Sequence, residues 1–325
     1  MSGFNRRTGA QLRRICASDK ALGAELKQMQ VKLRMQRTAA SASAAAAANG
    51  TKAAARALTP ESLVYKEGRP ALKIYRDEPV MEFPDLKSEE WRARLTGVLD
   101  MLRFAVRAVG RIEISDHSEF HNGDSVGTGW LVRKDVLVTN RHVARVFARK
   151  NGKGFEFQPN AGLGRVSARV DFLEEDRRAA SMERKVVEIL HIEDDAGPDM
   201  AFLRIGSQDP LPEPVELAGD QSQPHTWVAA IGYPGFDSSI PDSDQLERLY
   251  HGVFDKKRIA PGEVMGYDNS VLLHDCSTLN ANSGSLVLDL HTGRAVGLHF
   301  SGVYQIENRA VPAPIVEQRL RALGL

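Results

Sequence analysis

The chain has 325 residues, with 43 Lys and Arg against 42 Asp and Glu and a formal net charge of +1. That balance excludes a globally basic nucleic-acid binder and a solvating acidic chain. Apolar residues make up 42% and charged residues 26%, which is enough apolar material for a core and argues against wholesale disorder. No uninterrupted apolar run approaches the roughly 18 residues of a membrane helix, so no membrane span is expected. The start, MSGFNRRTGAQLRRICASDK, is basic but lacks a signal-type apolar stretch. Its Arg-rich, acid-poor character also fits a transit peptide. Cys16 and Cys276 lie in regions of different character, so no structural disulfide is expected and a reducing, cytoplasmic location is the default.

Residues 1–37 hold nine Lys and Arg against Asp19 and Glu25. Leu12, Ile15, Asp19, Leu22, Leu26, Met29 and Leu33 alternate three and four apart, a heptad stripe flawed by Asp19. The stretch reads as a basic amphipathic helix. It either packs on its own protein or serves self-association or docking to a regulatory partner; a third use, a basic face on nucleic acid or lipid, is the weakest. Residues 38–57, TAASASAAAAANGTKAAARA, are an Ala-rich linker without large apolar groups to anchor it. Residues 58–107 read as a helical extension packing on the domain that follows. Thr59-Pro60-Glu61 is an N-cap with proline at the first helical position. Ser88-Glu89-Glu90 opens a second helix, on which Trp91, Leu95, Val98, Leu99, Leu102 and Val106 share one face.

From about 108 the texture changes to short apolar runs separated by Gly, Asp, Asn and Pro. The runs are VGRIEIS, VGTGWLV, DVLVT, KVVEILHI, MAFLRI, TWVAAIGY, SVLLHD, SLVLDL and AVGLHF. Their length and spacing predict an all-β sandwich or barrel. A last helix is expected over 314–323.

Three segments of this β region carry chemistry. In Thr139-Asn140-Arg141-His142-Val143-Ala144, a histidine follows a buried strand, where a neutral imidazole can act as general base. In Pro198-Asp199-Met200-Ala201-Phe202, a carboxylate precedes an apolar strand and can fix that histidine's tautomer. In Asn280-Ala281-Asn282-Ser283-Gly284-Ser285, a serine sits in a turn of small residues that leaves its hydroxyl accessible. The backbone N–H groups of Ala281 and Ser283 can converge there on a developing oxyanion. Each segment alone is weak; together, in the order His, Asp, Ser, they are specific.

This region resembles the trypsin/chymotrypsin-like serine peptidases in their bacterial form. GTGWLV, TNRHV, DMAFLRI, IGYPG, NSGSLV, AVGLHF and ENRAVPA carry the resemblance, which covers roughly 108–325. It implies a mainly β fold of two six-stranded antiparallel barrels with the site between them, here with an α-helical N-terminal extension and a C-terminal helix. It also implies that His142 is the base, Asp199 its orienter and Ser283 the nucleophile of a serine endopeptidase acting on protein or peptide substrates. Ala281 stands where the family usually has Gly, and Leu286 where Pro is common. Asn282 replaces the Asp that pairs with a newly cut amino terminus in the digestive branch, so activity is expected without such processing. Ser277 occupies the position of the trypsin-like pocket carboxylate, which argues against a Lys or Arg preference. Thr278 and His299 match positions with which glutamyl endopeptidases hold an acidic side chain. Ser301 and Gly302, in the same GLHFSG stretch, are expected on the substrate side.

The loop with Asp116, His117, Glu119, His121 and Asp124 could hold a metal but lacks HExxH spacing, and a solvated loop is the simpler reading. No metal or cofactor is expected. The competing class is a protease-fold binding or scaffold protein without catalysis, for which Ala281 is the sole support. A hydrolase of esters or other acyl groups is a third reading.

Overall fold

In the computed structural model of the chain, residues 66–325 are described, apart from 161, 163, 207–208, 237–242, 280 and 304–305. The basic helix expected over 1–37, the linker at 38–57 and the helix start at Thr59 lie outside the described residues. Two six-stranded antiparallel barrels dominate, the chymotrypsin-like arrangement.

The extension from 66 to 107 is only partly helical, which corrects the sequence expectation. It begins with a hairpin, β1 (Leu72–Tyr75) and β2 (Glu78–Pro79). Leu72 and Ile74 of β1 are buried while Tyr75 is exposed, as alternating strand residues are. The expected second helix is split into α1 (Trp91–Thr96) and α2 (Leu99–Arg107). The break falls at Gly97-Val98, where Gly97 caps α1 and Val98 leaves the helical region at φ −127°. Glycine and a β-branched residue are both weak helix formers. Trp91, Leu95, Leu102, Ala105 and Val106 still face inward and join the same apolar core as both barrels.

The first barrel is formed by β3 (Val109–Ser115), β4 (Asp124–Arg133), β5 (Val136–Thr139), then, after helix α3 (Arg141–Phe147) and the hairpin β6 (Ala148–Asn151)–β7 (Gly154–Phe157), by β8 (Ser167–Asp171), β9 (Glu183–Ile192) and β10 (Ala201–Ile205). These strands close in the order β10-β5-β4-β3-β8-β9. The second barrel comprises β11 (Trp227–Gly232), β12 (Arg258–Asp268), β13 (Val271–His274), β14 (Leu286–Asp289), β15 (Ala295–Val303) and β16 (Glu307–Pro312), with helix α4 (Ser243–Tyr250) between β11 and β12. Its order is β11-β14-β15-β16-β13-β12, and pairing of β11 with β12 closes it. β1 pairs with Arg258 and Ile259 of β12, on a stretch that β13, whose pairing starts at Val264, does not reach. The extension therefore completes the edge of the second barrel.

The C-terminal helix α5 (Ala313–Leu323) matches the expectation within one residue. Gly324 ends it in the left-handed region at φ 72°, and the Leu325 N–H closes back on the Leu320 carbonyl.

One buried cation joins the three parts. Lys257, fully buried just before β12, donates from Nζ to the Val106 carbonyl of α2 (2.8 Å) and the Phe172 carbonyl after β8 (2.7 Å). Burial pushes its ammonium down from 10.5 to about 8. The unfolded chain thus keeps this proton to higher pH than the folded chain, so stability from this group is lowest below about pH 8 and rises as pH climbs towards 10.5. Lys257→Met removes that rise. Urea unfolding at pH 7 and pH 10 is expected to show the difference between the native chain and the variant growing by roughly 2–3 kcal/mol in favour of the native chain.

Candidate active site

The register of the first barrel brings a histidine and a carboxylate to one place. β5 and β10 are antiparallel with Thr139 opposite Ala201. His142, three residues past Thr139, and Asp199, two before Ala201, therefore leave the same end of neighbouring strands. Asn140 ties the two exits by donating from Nδ2 to the Asp199 carbonyl at 2.8 Å. Buried Arg141 donates from Nη1 to the carbonyls of Asp194 (3.0 Å) and Gly197 (2.9 Å), fixing the loop that delivers Asp199.

Asp199 Oδ2 lies 2.6 Å from His142 Nδ1, and its Oδ1 accepts the His142 backbone N–H at 3.2 Å. His142 Nε2 lies 2.6 Å from Ser283 Oγ. A carboxylate can only accept, so Nδ1 carries the imidazole proton and Nε2 is left to accept from the serine hydroxyl. All three side chains are buried. Burial favours the neutral form of Asp199, but the adjacent His142, its hydrogen bonds and nearby Arg141 outweigh this and hold the carboxyl below the usual range.

The turn that carries Ser283 belongs to the second barrel but is bonded to the first. The Thr128 N–H of β4 donates to the Ser283 carbonyl at 2.8 Å. Thr128 Oγ1 in turn accepts the Tyr233 N–H at 3.1 Å, and its carbonyl accepts Thr139 Oγ1 at 2.7 Å. β15 holds the other side: the Gly284 N–H donates to the His299 carbonyl (2.8 Å) and the His299 N–H to the Ser285 carbonyl (2.9 Å). Gly284 has φ +87°, and a Cβ there would lie 1.9 Å from the Thr128 carbonyl oxygen, so no other residue fits. Asn282 stays within its own turn, its Oδ1 accepting Ser285 Oγ at 3.3 Å.

Ala281 is left-handed, at φ +67°. Its methyl group makes that conformation costly, by about 1 kcal/mol, whereas Gly adopts it freely.

The expected substrate-side residues meet around Asn308, which sequence reasoning did not single out. Asn308 Nδ2 donates to the Cys276 carbonyl at 2.5 Å, which turns its Oδ1 to accept Thr278 Oγ1 at 2.6 Å. On β16, Asn308 pairs with Gly302, and it is also opposite His274 of β13. His299 Nδ1 lies 3.3 Å from His274 Nε2, both rings fully buried and edge-to-face at 71°. Burial pushes His274 down to about 4, and pushes His299 well below its ordinary value with help from His274 and His142. Both rings are therefore neutral near pH 7. Ser301 Oγ is buried without a hydrogen-bond partner among the described residues.

The loop with Asp116, His117, Glu119, His121 and Asp124 carries internal hydrogen bonds. The His121 N–H donates to Asp124 Oδ2 (2.9 Å), and the Glu119 N–H to His117 Nδ1 (3.0 Å). Among the described residues, the carboxylates within one ion's reach are those of Glu113, Asp171 and Glu174. Glu113 there is paired with Arg111 and Arg169.

A family model described as the trypsin-like peptidase domain matches residues 127–298, a little over half of the chain. The chain belongs to this family. The match runs from β4, which carries Thr128, to Leu298 of β15, and so contains His142, Asp199 and Ser283. Among solved structures the chain is similar to one titled "Crystal structure of Deg5", at 17% identity and a TM-score of 0.47, over 72% of this chain and 93% of that one. No curated protein matches the chain.

Within this trypsin-like frame, Ala281→Gly relieves the left-handed strain, partly offset by the greater freedom of glycine in the unfolded chain. Net stabilisation of up to about 0.5 kcal/mol is expected, read in thermal unfolding as a rise of up to about 2 °C.

Proposed function

We propose that the protein is a serine endopeptidase working through His142, Asp199 and Ser283, with residues 108–325 as its protease domain. The observation that carries this reading is the continuous pair of 2.6 Å contacts from Asp199 through His142 to Ser283 Oγ. Ser283 Oγ attacks the scissile carbonyl while His142 Nε2 takes its proton. Asp199 stabilises the imidazolium and keeps the ring oriented. The N–H groups of Ala281 and Ser283 receive the oxyanion. The imidazolium then protonates the leaving amine, and water, activated by the same ring, releases the acyl group.

A fluorophosphonate probe tests this directly. Labelling of Ser283, abolished by Ser283→Ala and by His142→Ala, is expected. An unlabelled native protein would return the chain to the scaffold reading. With a peptide substrate, Ser283→Ala is expected to lower kcat about 10⁶-fold and Asp199→Asn about 10⁴-fold.

The finer reading is a preference for acidic side chains before the scissile bond. The Thr278 hydroxyl proton is committed to Asn308, so the donor that matters is His299. Its tautomer follows from its neighbour. If His274 Nε2–H donates to His299 Nδ1, the group left unpaired is an acceptor, His274 Nδ1. The reverse arrangement strands a buried N–H, which costs more. His299 therefore carries its proton on Nε2, suited to a carboxylate. A peptide library is expected to show Glu or Asp before the cut, at least tenfold above apolar residues. His299→Leu is expected to lower kcat/KM for the acidic substrate 10–100-fold, and for an apolar one less than about threefold. Cleavage by the native enzyme only after apolar residues would refute the preference.

A further inference from the structure

The extension touches the second barrel at the loop that leads to the nucleophile. Arg69 makes a two-pronged contact there: Nε donates to Asp275 Oδ1 and Nη2 to Asp275 Oδ2, each at 3.0 Å. The same Nη2 lies 3.0 Å from Glu263 Oε1. Lys66 Nζ reaches Asp275 Oδ2 at 2.8 Å, and the Glu263 backbone N–H reaches Asp275 Oδ1 at 2.7 Å. Asp275 is almost fully buried, so its charge depends on these donors. The Arg69 carbonyl accepts Ser277 Oγ at 2.7 Å. Two residues later, the Ala71 carbonyl accepts Arg258 Nη1 at 2.6 Å.

The contact is built to be rigid. The Arg69 guanidinium lies 5.3 Å from the Trp91 ring centre, and Trp91 Nε1 donates to the Gly68 carbonyl at 2.8 Å. Ala71, Ser277 and Asn282 line one shared cavity of about 10 Å³, no larger than a water site. The extension thus shares the wall of this cavity with Asn282, the residue before Ser283. It also occupies the Ser277 hydroxyl.

We propose that residues 66–71 brace the loop 275–283 from outside, with Arg69 as a positioning residue that fixes Asp275 through its side chain and Ser277 through its carbonyl. The loop so held carries Thr278, Ala281 and Ser283. This rests on the peptidase reading for its kinetic consequence but not for its structural one. A brace supplied by an internal segment makes the ordered loop independent of a free amino terminus. It agrees with the neutral Asn282, which has no charge to offer one.

Four full-length variants test the brace: Arg69→Ala, Arg69→Lys, Asp275→Asn and the double Arg69→Ala/Asp275→Asn. Activity is expressed per site titrated with fluorophosphonate, which removes any misfolded fraction. Arg69→Ala is expected to lower kcat/KM for a peptide 10–100-fold. Arg69→Lys, with the charge but not the planar fork, recovers only part of the loss. The double variant should be no worse than the poorer single one within about twofold, because both remove one interaction. Hydrogen exchange supplies a readout that needs no activity: amides of 276–282 are expected to exchange at least tenfold faster in Arg69→Ala, with those of β11 unchanged. Unaltered exchange in that loop overturns the brace, whether or not the native protein proves to be a peptidase. Accelerated exchange with per-site kcat/KM unchanged within twofold overturns Arg69 as a positioning residue while leaving the peptidase reading intact. A native protein that is neither labelled nor active defeats the peptidase reading, and the exchange result then decides the brace alone.

Discussion

The hydrogen bond from the Thr128 N–H to the Ser283 carbonyl, at 2.8 Å, joins the nucleophile turn of one barrel to a strand of the other. His142 and Asp199 are carried by the first barrel, Ser283 by the second. The proposed proton relay across this boundary demands that the two barrels hold a fixed separation, because a shift of one ångström between a nucleophile and its base can cost orders of magnitude in rate. The bond sets that separation at the backbone, where there is no rotamer freedom to lose. Thr128 is well placed for it because its hydroxyl and carbonyl are themselves occupied, by Tyr233 and Thr139. The absence of a Cβ at Gly284 then lets the Thr128 carbonyl lie directly against the turn.

The extension belongs to this same problem of alignment. Its strand β1 completes an edge of β12, its helix α2 ends on the ammonium of Lys257, and its residue Arg69 meets the loop before the nucleophile. Trp91 and Trp227, edge-to-face at 6.5 Å with the Arg94 guanidinium 4.3 Å from the Trp227 ring, fasten α1 to β11. Residues 66–107 are therefore part of the folded unit and share its apolar core, not an appendage lying on its surface.

How far the sequence could disclose this depended on the kind of interaction. Apolar runs bounded by turn residues mark strands well: VGRIEIS is β3 end to end, MAFLRI contains β10, and KVVEILHI and AVGLHF lie within β9 and β15. β12 shows no such run because Pro261 and Gly262 interrupt it. The proline is tolerated between the residues paired to β1 and those paired to β13, where its missing N–H has no partner strand to satisfy. β1 is not marked because LKIY lies in a region read as helical. His142, Asp199 and Ser283 were legible because each stands at the end of an apolar run in a recognisable local setting. Thr128, Arg141, Asn308 and Arg69 were not. Their parts are played through backbone carbonyls and N–H groups of residues distant in the chain, and no local pattern encodes such partners.

The site also shows how one residue type is given opposite tasks by its surroundings. His142 and His299 are both buried and lie close enough to influence each other electrostatically. His142 has a carboxylate on Nδ1, whereas His299 has only a second neutral imidazole there. Burial alone opposes a positive charge on either ring. Asp199 compensates this at His142, so in the proposed mechanism an imidazolium at His142 has a partner that needs no reorganisation. Among the described residues no carboxylate compensates it at His299, which is consequently confined to its neutral form and to hydrogen bonding. Asp199 stays ionised in its buried position because the His142 ring and backbone N–H bond its carboxylate and the Arg141 charge lies near, while Asn140 and Arg141 hold its backbone and loop in place.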